Sequence, residues 1–285
     1  MKNVLGKKVD SPKEYAPDIL VAIDRDENRS IYQIDSSNLS FVGFDSWHAY
    51  EISFLTNGGV PVHLVAKIVY PANSKYIVES KSLKLYLNSL NMMKLGGTVA
   101  KASAKAKELI TNDLAKLLST NVTCYLFSDS PEADILKDFP AIESIVDLDS
   151  LSCEAYDEDL SLLETQNDST AQKFSCSMLR SNCKITNQPD WGTVFVCIKG
   201  EQTIIPESFI RYIVSFRNEN HFHEEVCEMI YKRLHDLLSP KELMVTCIYT
   251  RRGGIDICPS RASSADLLDS NLINSKVLTK KLINQ

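Results

Sequence analysis

The sequence predicts an α+β protein made of two units, each with helices on one face of an antiparallel sheet. Strand-like and helix-like segments follow one another in the same order twice, and short residue matches recur between the halves at an offset of 123 to 128 residues. A segment with eight acidic residues and neither lysine nor arginine, from Asp147 to Asp168, separates the halves. We therefore expect an N-terminal unit at residues 1–146, a solvated acidic linker at 147–172 and a C-terminal unit at 173–285.

The first half shows two strands, then helices, then a further strand. Runs of β-branched and aromatic residues predict the strands, and Gly58-Gly59 supplies the turn between the first two. The helical region is interrupted near Gly96-Gly97. The predicted elements are strands Tyr50–Thr56 and Val62–Tyr70, helical segments from about Ser80 and from Lys101 to Leu118, and a strand at Val122–Phe127.

The second half repeats this order, and specific residues recur with it. Its predicted elements are strands Phe174–Arg180 and Thr193–Gly200, helices Glu207–Phe216 and Phe222–Leu238, and a strand at Val245–Thr250. The matches align Glu79-Ser80 with Glu207-Ser208, Tyr86 and Ser89 with Tyr212 and Ser215, and Val122-Thr123-Cys124 with Val245-Thr246-Cys247. A duplicated α+β unit accounts for both observations.

The helix from Phe222 to Leu238 has a clear apolar face. Asn220 is the expected N-cap, and Pro240 lies just beyond the C-terminal end. Taken alone, this helix predicts a surface position for His223 and a dipole-stabilising role for Glu224. The residues expected in the buried stripe are Phe222, Val226, Met229, Ile230, Leu234, Leu237 and Leu238.

Composition excludes several classes of protein. A net charge of -6 and a pI near 5.5 do not suit a general nucleic-acid binder. No apolar run approaches the roughly 20 residues of a membrane span, and the N-terminal sequence has no secretory pattern. The eight cysteines have irregular spacings without a C-x-x-C pair, which favours a reducing compartment over a disulfide framework. We expect a cytoplasmic protein that contacts neither nucleic acid nor membrane directly.

A cysteine and an aspartate in one polar stretch are candidates for covalent chemistry. Cys183 lies between predicted strands, next to Lys184, whose charge favours the reactive thiolate. Asp190 precedes Trp191, and a carboxyl beside an aromatic ring is expected to have a raised pKa and to hold a proton near neutrality. The alternative is that Cys183 is a small buried side chain without reactivity.

The sequence also bears on whether the protein has a zinc site or a nucleotide-binding site. Zinc is disfavoured because His221 and His223 would diverge on a helix and because no H-E-x-x-H pattern occurs. A Rossmann or Walker nucleotide site is also disfavoured, since the glycines form neither motif. Ser80-Lys81 at an expected helix start and Arg251–Gly254 at a strand end remain as candidate phosphate-binding groups, the alternative being an ordinary helix cap and a solvated basic turn.

Four segments together resemble the QueF-type nitrile reductases, the 7-cyano-7-deazaguanine reductases of queuosine biosynthesis. ESKSLKLY at Glu79–Tyr86 matches the family signature at all eight positions, and the other three segments follow in the family's order. These are Cys183 with Asp190, FHEE at Phe222–Glu225 and RRGG at Arg251–Gly254. The resemblance extends from about Leu5 to Arg261. It implies the two-module form, built from tandem tunnelling folds.

The resemblance also implies a mechanism. Cys183 would attack the nitrile carbon to form a covalent thioimide, and Asp190 would protonate the nitrogen. Reduction to 7-aminomethyl-7-deazaguanine takes four electrons, hence two molecules of NADPH, and requires no metal. His223 would assist proton transfer, which makes Cys183, Asp190 and His223 the expected catalytic residues.

Binding residues follow from the same resemblance. Glu79 and Glu224 would accept hydrogen bonds from the deazaguanine, and Phe222 would stack on its face. The expected substrate contacts are Val78, Glu79, Ser80, Phe222, His223 and Glu224, and the expected NADPH contacts are Ser80, Lys81, Arg252 and Gly253. The family further implies a homodimer. The alternatives are a purine- or pterin-binding protein of the same fold, or an enzyme like the GTP cyclohydrolases, without nitrile reduction.

Overall fold

The computed structural model describes residues 12–283 and Gln285. The beginning of the predicted N-terminal unit, including Leu5, lies outside the described residues. In the first half the elements are β1 (Ala22–Asp24), α1 (Asp26–Arg29), β2 (Val42–Thr56), β3 (Pro61–Pro71), β4 (Tyr76–Val78), α2 (Ser80–Asn88), β5 (Lys94–Gly96), α3 (Val99–Leu118), β6 (Thr123–Phe127) and β7 (Glu132–Ala133). In the second half they are β8 (Thr165–Asn167), β9 (Gln172–Cys183), β10 (Pro189–Lys199), β11 (Gln202–Ile204), α4 (Pro206–Val214), β12 (Asn220–His221), α5 (His223–Leu238), β13 (Glu242–Tyr249), β14 (Ile255–Ala262) and β15 (Leu278–Thr279).

One large sheet passes through both halves. Within the described residues it has the order β12-β9-β10-β13-β14-β2-β3-β6, with β5 beside β2. Neighbouring strands are antiparallel, except that β12 is parallel to β9 and β5 is parallel to β2. The predicted α+β class with antiparallel pairing is therefore confirmed.

Strand β14 joins the two halves and was not predicted. It pairs with β13 on one side and with β2 on the other, where Ile257 lies opposite Trp47. The sequence of β14, IDICPSRA, mixes an aspartate, a proline and an arginine with its apolar residues, so it lacks the apolar run that predicts a buried strand. Its charged side chains are buried because they form ion pairs inside the protein.

The helices lie against one face of the sheet, as expected. Along β10, Val194 and Val196 pack with buried residues of α4 and α5. The alternate residues Phe195 and Cys197 face the other side, where their buried neighbours come from loops and strands. This alternation follows from the period of two residues in a strand. It gives each long strand one helix-covered face and one face covered by irregular segments.

The duplication is visible in the order of the elements. Each half has two long antiparallel strands, a short strand, a helix, a second short strand, a longer helix and a closing strand. The first short strands, β4 and β11, pair with β1 and β8 respectively. The second short strands, β5 and β12, lie parallel to the first long strand of their own half.

The alignment of the two copies differs from the predicted one only at the start of the helix. The predicted match of Ser89 with Ser215 is confirmed, since each hydroxyl donates to the carbonyl three residues earlier. Ser82 and Ser208 occupy equivalent positions, because the hydroxyl of each accepts a backbone N–H at 3.1 Å from an earlier segment and donates to a carbonyl at the helix start. The residue that caps the helix is Glu79 in the first copy and Ile205 in the second. The predicted match of Glu79 with Glu207 is therefore wrong by two residues, since short identical pairs do not determine register. The second copy has no glutamate at the capping position.

The acidic linker is more closely packed than expected. Residues 147–150 are exposed, but Leu163 is buried in the core of the second half. Glu158 accepts hydrogen bonds from Arg233 at 2.9 and 3.0 Å, and β8 pairs with β11. The prediction of a solvated segment is wrong for these parts, because the carboxylate has an arginine partner on α5 and the apolar side chain fills a gap beside α4.

Helix α5 carries charge into the interior. The predicted stripe is confirmed for its central residues, but Leu237 is 37% exposed while Glu228 is buried. Glu228 accepts from Arg29 Nε at 2.8 Å and from Arg261 Nη2 at 2.9 Å, and Arg25 lies 3.5 Å away. Asp45 on β2 pairs with Arg25 and, at 2.8 Å, with Arg261. We call these five residues the buried ion network.

The network ties four segments together. Arg25 and Arg29 come from the N-terminal segment, Asp45 from β2, Glu228 from α5 and Arg261 from β14. Every one of these side chains is at most 3% exposed. Burial would raise the pKa of Glu228, but the charges of Arg261, Arg25 and Arg29 outweigh burial and lower this pKa to about 2.

None of the helices in residues 12–283 combines the length and apolar character that a membrane crossing requires.

Removing the Glu228 charge tests the network. Glu228→Gln leaves the buried Arg29 without its carboxylate partner and leaves Asp45 as the one carboxylate of the network for Arg25 and Arg261, so we expect the free energy of unfolding to fall by about 3–5 kcal/mol in urea titrations at pH 7. Because the folded-state pKa is depressed, the stabilisation by Glu228 should be present above pH 5 and lost as the pH falls toward 2. Glu242→Gln, at the exposed pair with Lys199, is the control and should leave the urea midpoint of unfolding unchanged. Equal urea midpoints for the two variants would contradict the stabilising role assigned to Glu228.

Candidate active site

A single cavity of about 390 Å³ gathers the predicted site residues. Its walls come from the start of α2, the turn between β9 and β10, the start of α5 and the turn before β14. Those predicted residues that line it are Val78, Glu79, Ser80, Lys81, Cys183, Asp190, Phe222, His223, Glu224, Arg252 and Gly253. Segments from both halves thus meet at one place, and the individual roles of these residues stay predictions.

Glu79 caps helix α2. Its carboxylate accepts the backbone N–H of Lys81 at 3.0 Å and that of Ser82 at 2.7 Å, and the residue is 2% exposed. Because these two amides already donate to Glu79, an anion bound at this helix start would interact with side chains and not with the two backbone N–H groups. Each carboxylate oxygen has a further lone pair, so Glu79 can still accept a hydrogen bond from a ligand.

Cys183 ends β9 at a tight turn. Its N–H donates to the Gln188 carbonyl at 2.8 Å, and its carbonyl accepts from Asn187, which has φ of 53°. Cys183 is half-buried, whereas six of the eight cysteines are buried. Lys184, which was expected to favour the thiolate, places its ammonium 3.0 Å from Glu225. Its charge is therefore already balanced by a carboxylate.

Asp190 lies at the start of β10 and is 4% exposed. Its carboxylate is 3.3 Å from Nε2 of His223 and forms an ion pair with Arg252. Burial would raise the pKa of Asp190, but the hydrogen bond and charge of His223, together with Arg252, lower it below its ordinary value. The prediction of a raised pKa is wrong. Trp191 is 43% exposed, so it does not shield the carboxyl from these partners.

The start of α5 differs from the prediction. Phe222, rather than Asn220, is the N-cap, and Glu225 accepts the Phe222 N–H at 2.9 Å. The phenyl ring cannot accept a hydrogen bond in return, so only this half of a capping box forms. The Lys184 ammonium lies 5.5 Å from the centroid of the Phe222 ring. Because Glu225 also binds Lys184, one carboxylate connects the turn that follows Cys183 with the helix start.

His223 and Glu224 face the cavity, contrary to the surface position that the helix alone predicts for His223. Glu224 is 2% exposed, and its Oε1 has no hydrogen-bond partner among the described residues. Burial and the nearby charge of Asp45 raise the pKa of Glu224 to about 8, although Arg25 and Arg261 oppose the shift. A buried carboxyl without a partner is suited to bind polar groups of a ligand.

Positive charge collects on one side of the cavity. Lys81, Lys84 and Arg252 line this side, and the backbone of Gly253 reaches it in a left-handed conformation with φ of 56°. The Arg252 guanidinium contacts Asp190 and donates to Gln188 Oε1 at 3.2 Å. These residues fit an anionic cofactor, since lysine and arginine bind phosphate and a glycine backbone permits close approach.

Several lining residues were not predicted. Lys84 belongs to the signature ESKSLKLY, so its place in this motif could have identified it as a residue of the site. Trp47 lies in the part of β2 that precedes the predicted strand Tyr50–Thr56, where polar residues interrupt the apolar ones. The turn after Cys183 carries no recognisable pattern. The additional lining residues are Trp47, Lys84, Ile185, Thr186, Gln188, His221, Ile255 and Ile257.

Cys183, His221 and His223 line the same cavity, but the cysteines and histidines weighed for zinc form no group, among the described residues, whose ligand atoms all lie within 4.8 Å of one another. The group there whose ligand atoms lie within 4.8 Å of one another is His48, Asp256 and Cys258, which do not line the cavity. Asp256 already binds His48 Nδ1 at 2.7 Å and Lys281 Nζ at 2.9 Å. An ammonium at this distance occupies the place where a cation would bind.

Comparisons with known proteins identify similar sequences over most of the chain. A family model described as nitrile reductase, 7-cyano-7-deazaguanine-reductase N-term matches residues 11–126, and one described as QueF-like protein matches residues 189–266. NADPH-dependent 7-cyano-7-deazaguanine reductase of Psychrobacter cryohalolentis is 40% identical, covering 93% of this chain and 95% of that one. The protein of the same description from Rickettsia massiliae is 37% identical, covering 92% and 93%.

A solved structure is similar over a shorter part. The crystal structure of the archaeosine synthase QueF-Like in the apo form covers 35% of this chain and 99% of that one, with 19% identity and a TM-score of 0.30.

Proposed function

This chain belongs to the family of NADPH-dependent 7-cyano-7-deazaguanine reductases, and we propose that the cavity described above is its active site. The reaction reduces the nitrile of 7-cyano-7-deazaguanine to the amine of 7-aminomethyl-7-deazaguanine, as required in queuosine biosynthesis. The observation that carries the proposal is that eleven residues, predicted from separate segments, line one cavity.

The deazaguanine ring binds between an aromatic face and two carboxyl groups. Phe222 offers its ring, and Glu79 and Glu224 accept hydrogen bonds from the N–H groups of the base. Val78, Ser80 and His223 complete the lining. Both glutamates are 2% exposed, so a ligand that lacks matching donors would leave buried acceptors unpaired. This arrangement favours a guanine-like edge over an adenine-like one.

Cys183 forms the covalent intermediate. Its sulfur attacks the nitrile carbon, a carbon–sulfur bond forms, one π bond of the nitrile breaks, and the nitrogen takes up a proton. Because its partners lower the pKa of Asp190, we assign delivery of this proton to the Asp190–His223 pair, whose atoms are 3.3 Å apart, and not to Asp190 alone. The product of this step is a thioimide. Cys183 leaves again after the first reduction, so the second acts on a free imine.

NADPH supplies a hydride for each of the two reductions. Ser80, Lys81, Arg252 and Gly253 hold it, with Lys84 beside them on the same side of the cavity. A phosphate that attracts Arg252 competes with Asp190 for the guanidinium. The ion pair of Arg252 with Asp190 therefore has to loosen when the cofactor binds.

The larger architecture follows from the repeated element order. We propose that the two α+β units are tunnelling-fold modules at residues 1–146 and 173–285, joined through 147–172. In the described sheet, β12 and β6 are the terminal strands, and such edges are where a second copy of the chain can pair. A cytoplasmic homodimer that takes a free deazapurine, without direct contact to nucleic acid, is consistent with this arrangement.

Replacing the nucleophile tests the catalytic assignment. With 7-cyano-7-deazaguanine the wild type should consume two NADPH per nitrile, followed by absorbance, and Cys183→Ala should consume none, because no thioimide can form. Cys153→Ala is the matched control, since Cys153 is also half-buried but does not line the cavity. Turnover by Cys183→Ala would exclude the covalent route. If the folded wild type binds the nitrile but does not reduce it, the protein is a binding protein and not an enzyme.

Protonation of Glu224 should control affinity. A pKa of about 8 means that the carboxyl is protonated below pH 8, whereas acceptance of ligand N–H bonds favours the ionised form. Affinity for the nitrile, measured by calorimetry in a Cys183→Ala background, should therefore weaken by up to about tenfold for each pH unit from 7 to 6. Glu224→Gln should bind more weakly at pH 8 and show little pH dependence. A pH-independent affinity in the parent would refute the role of Glu224.

A further inference from the structure

His223 lies face to face with a buried tyrosine outside the predicted site. The ring centroids of His223 and Tyr249 are 3.7 Å apart, and the ring planes differ by 8°. His223 begins α5, and Tyr249 ends β13 with 0% exposure. The stack therefore connects the start of the helix to the end of a central strand of the sheet.

A glycine makes room for the tyrosine ring. Gly192 on β10 lies opposite Tyr249 in the strand register. A Cβ atom at residue 192 would be 3.1 Å from Cδ1 and 3.2 Å from Cε1 of Tyr249, which is closer than ordinary van der Waals contact. A side chain at residue 192 would thus displace the Tyr249 ring from its present position.

The same strand carries the acid. Asp190 precedes Gly192 by two residues, so the two lie on the same face of β10. The contact between Asp190 Oδ2 and His223 Nε2, at 3.3 Å, does not by itself fix the imidazole, because the second side-chain torsion of histidine has broad minima. Nδ1 of His223 has no hydrogen-bond partner among the described residues. The face of Tyr249 is what restricts rotation of the imidazole.

We propose that Tyr249 is a positioning residue that holds the plane of His223 so that Nε2 points to Asp190. The inference rests on the proposed function, in which this pair supplies the proton. The Tyr249 hydroxyl is buried without a hydrogen-bond partner among the described residues, so the ring face and not the hydroxyl does the positioning. Phenylalanine should therefore substitute for Tyr249, and an aliphatic side chain should not.

Three variants of the full chain test the proposal. Tyr249→Phe should keep kcat within about twofold, whereas Tyr249→Leu should lower kcat by about 10- to 100-fold with little change in KM, because misplaced groups lose catalysis rather than binding. Tyr249→Leu should also shift the acidic limb of the kcat–pH profile. Tyr231→Leu is the control: Tyr231 is buried and stacks on His235 away from the cavity, so its loss should lower stability and leave the pH profile unchanged.

A double-mutant cycle separates positioning from general packing. In a His223→Ala background, Tyr249→Leu should cause no further loss of kcat, because the residue that it positions is gone. A further loss there, or equal losses for Tyr249→Phe and Tyr249→Leu, would overturn the proposal. If Tyr249→Leu does not fold, Gly192→Ala applies the same test by displacing the ring.

A spectroscopic readout keeps this result distinct from the proposed function. The ring protons of His223 should move downfield in the NMR spectrum of Tyr249→Leu, relative to the wild type, as the shielding tyrosine face is lost. This shift is measurable whether or not the protein reduces the nitrile, and an unchanged spectrum would contradict the stack. If wild type does not turn over while the shift is present, the proposed function fails and the geometry stands.

Discussion

The buried ion network is the constraint on which the rest of the structure depends. Three arginines and two carboxylates, each at most 3% exposed, meet between the N-terminal segment, β2, α5 and β14. Buried charges of this kind are tolerated only when every member has a partner, so the four segments can assemble in essentially one way. Glu228 in the network and Glu224 in the cavity are one helical turn apart on α5. The network therefore also sets where α5 presents its first turn to the substrate.

Duplication explains why one chain needs both halves to build one site. Glu79 caps α2 in the first unit, and Ile205 stands at the equivalent position before α4 in the second. The second unit instead supplies Cys183 and Asp190 at the ends of its two long strands. Because β14 pairs with strands of both halves in one sheet, residues of the two halves line one cavity. Each unit therefore supplies residues of the cavity that the other does not.

The order of the long strands and of the main helices could be predicted, because periodic apolar patterns are local properties of the sequence. Eleven of the lining residues could be predicted from the motifs that carry the family resemblance. Strand β14 and the buried position of Glu228 could not, since a charged residue reads as exposed until its partners, 33 residues and more away in sequence, are known. The pKa of Asp190 was predicted in the wrong direction for the same reason. Trp191 is adjacent in sequence, whereas His223 and Arg252 are adjacent only in the fold.

The most direct test of covalent attack by Cys183 is the intact mass of the protein after incubation with 7-cyano-7-deazaguanine in the absence of NADPH. Covalent attack by Cys183 predicts a gain equal to one molecule of the nitrile, located at Cys183 by peptide mapping and absent in Cys183→Ala. If the mass does not change, and the same folded protein consumes NADPH in a separate assay with the nitrile, the covalent mechanism is contradicted. An adduct at a different cysteine would contradict the position assigned to the active site.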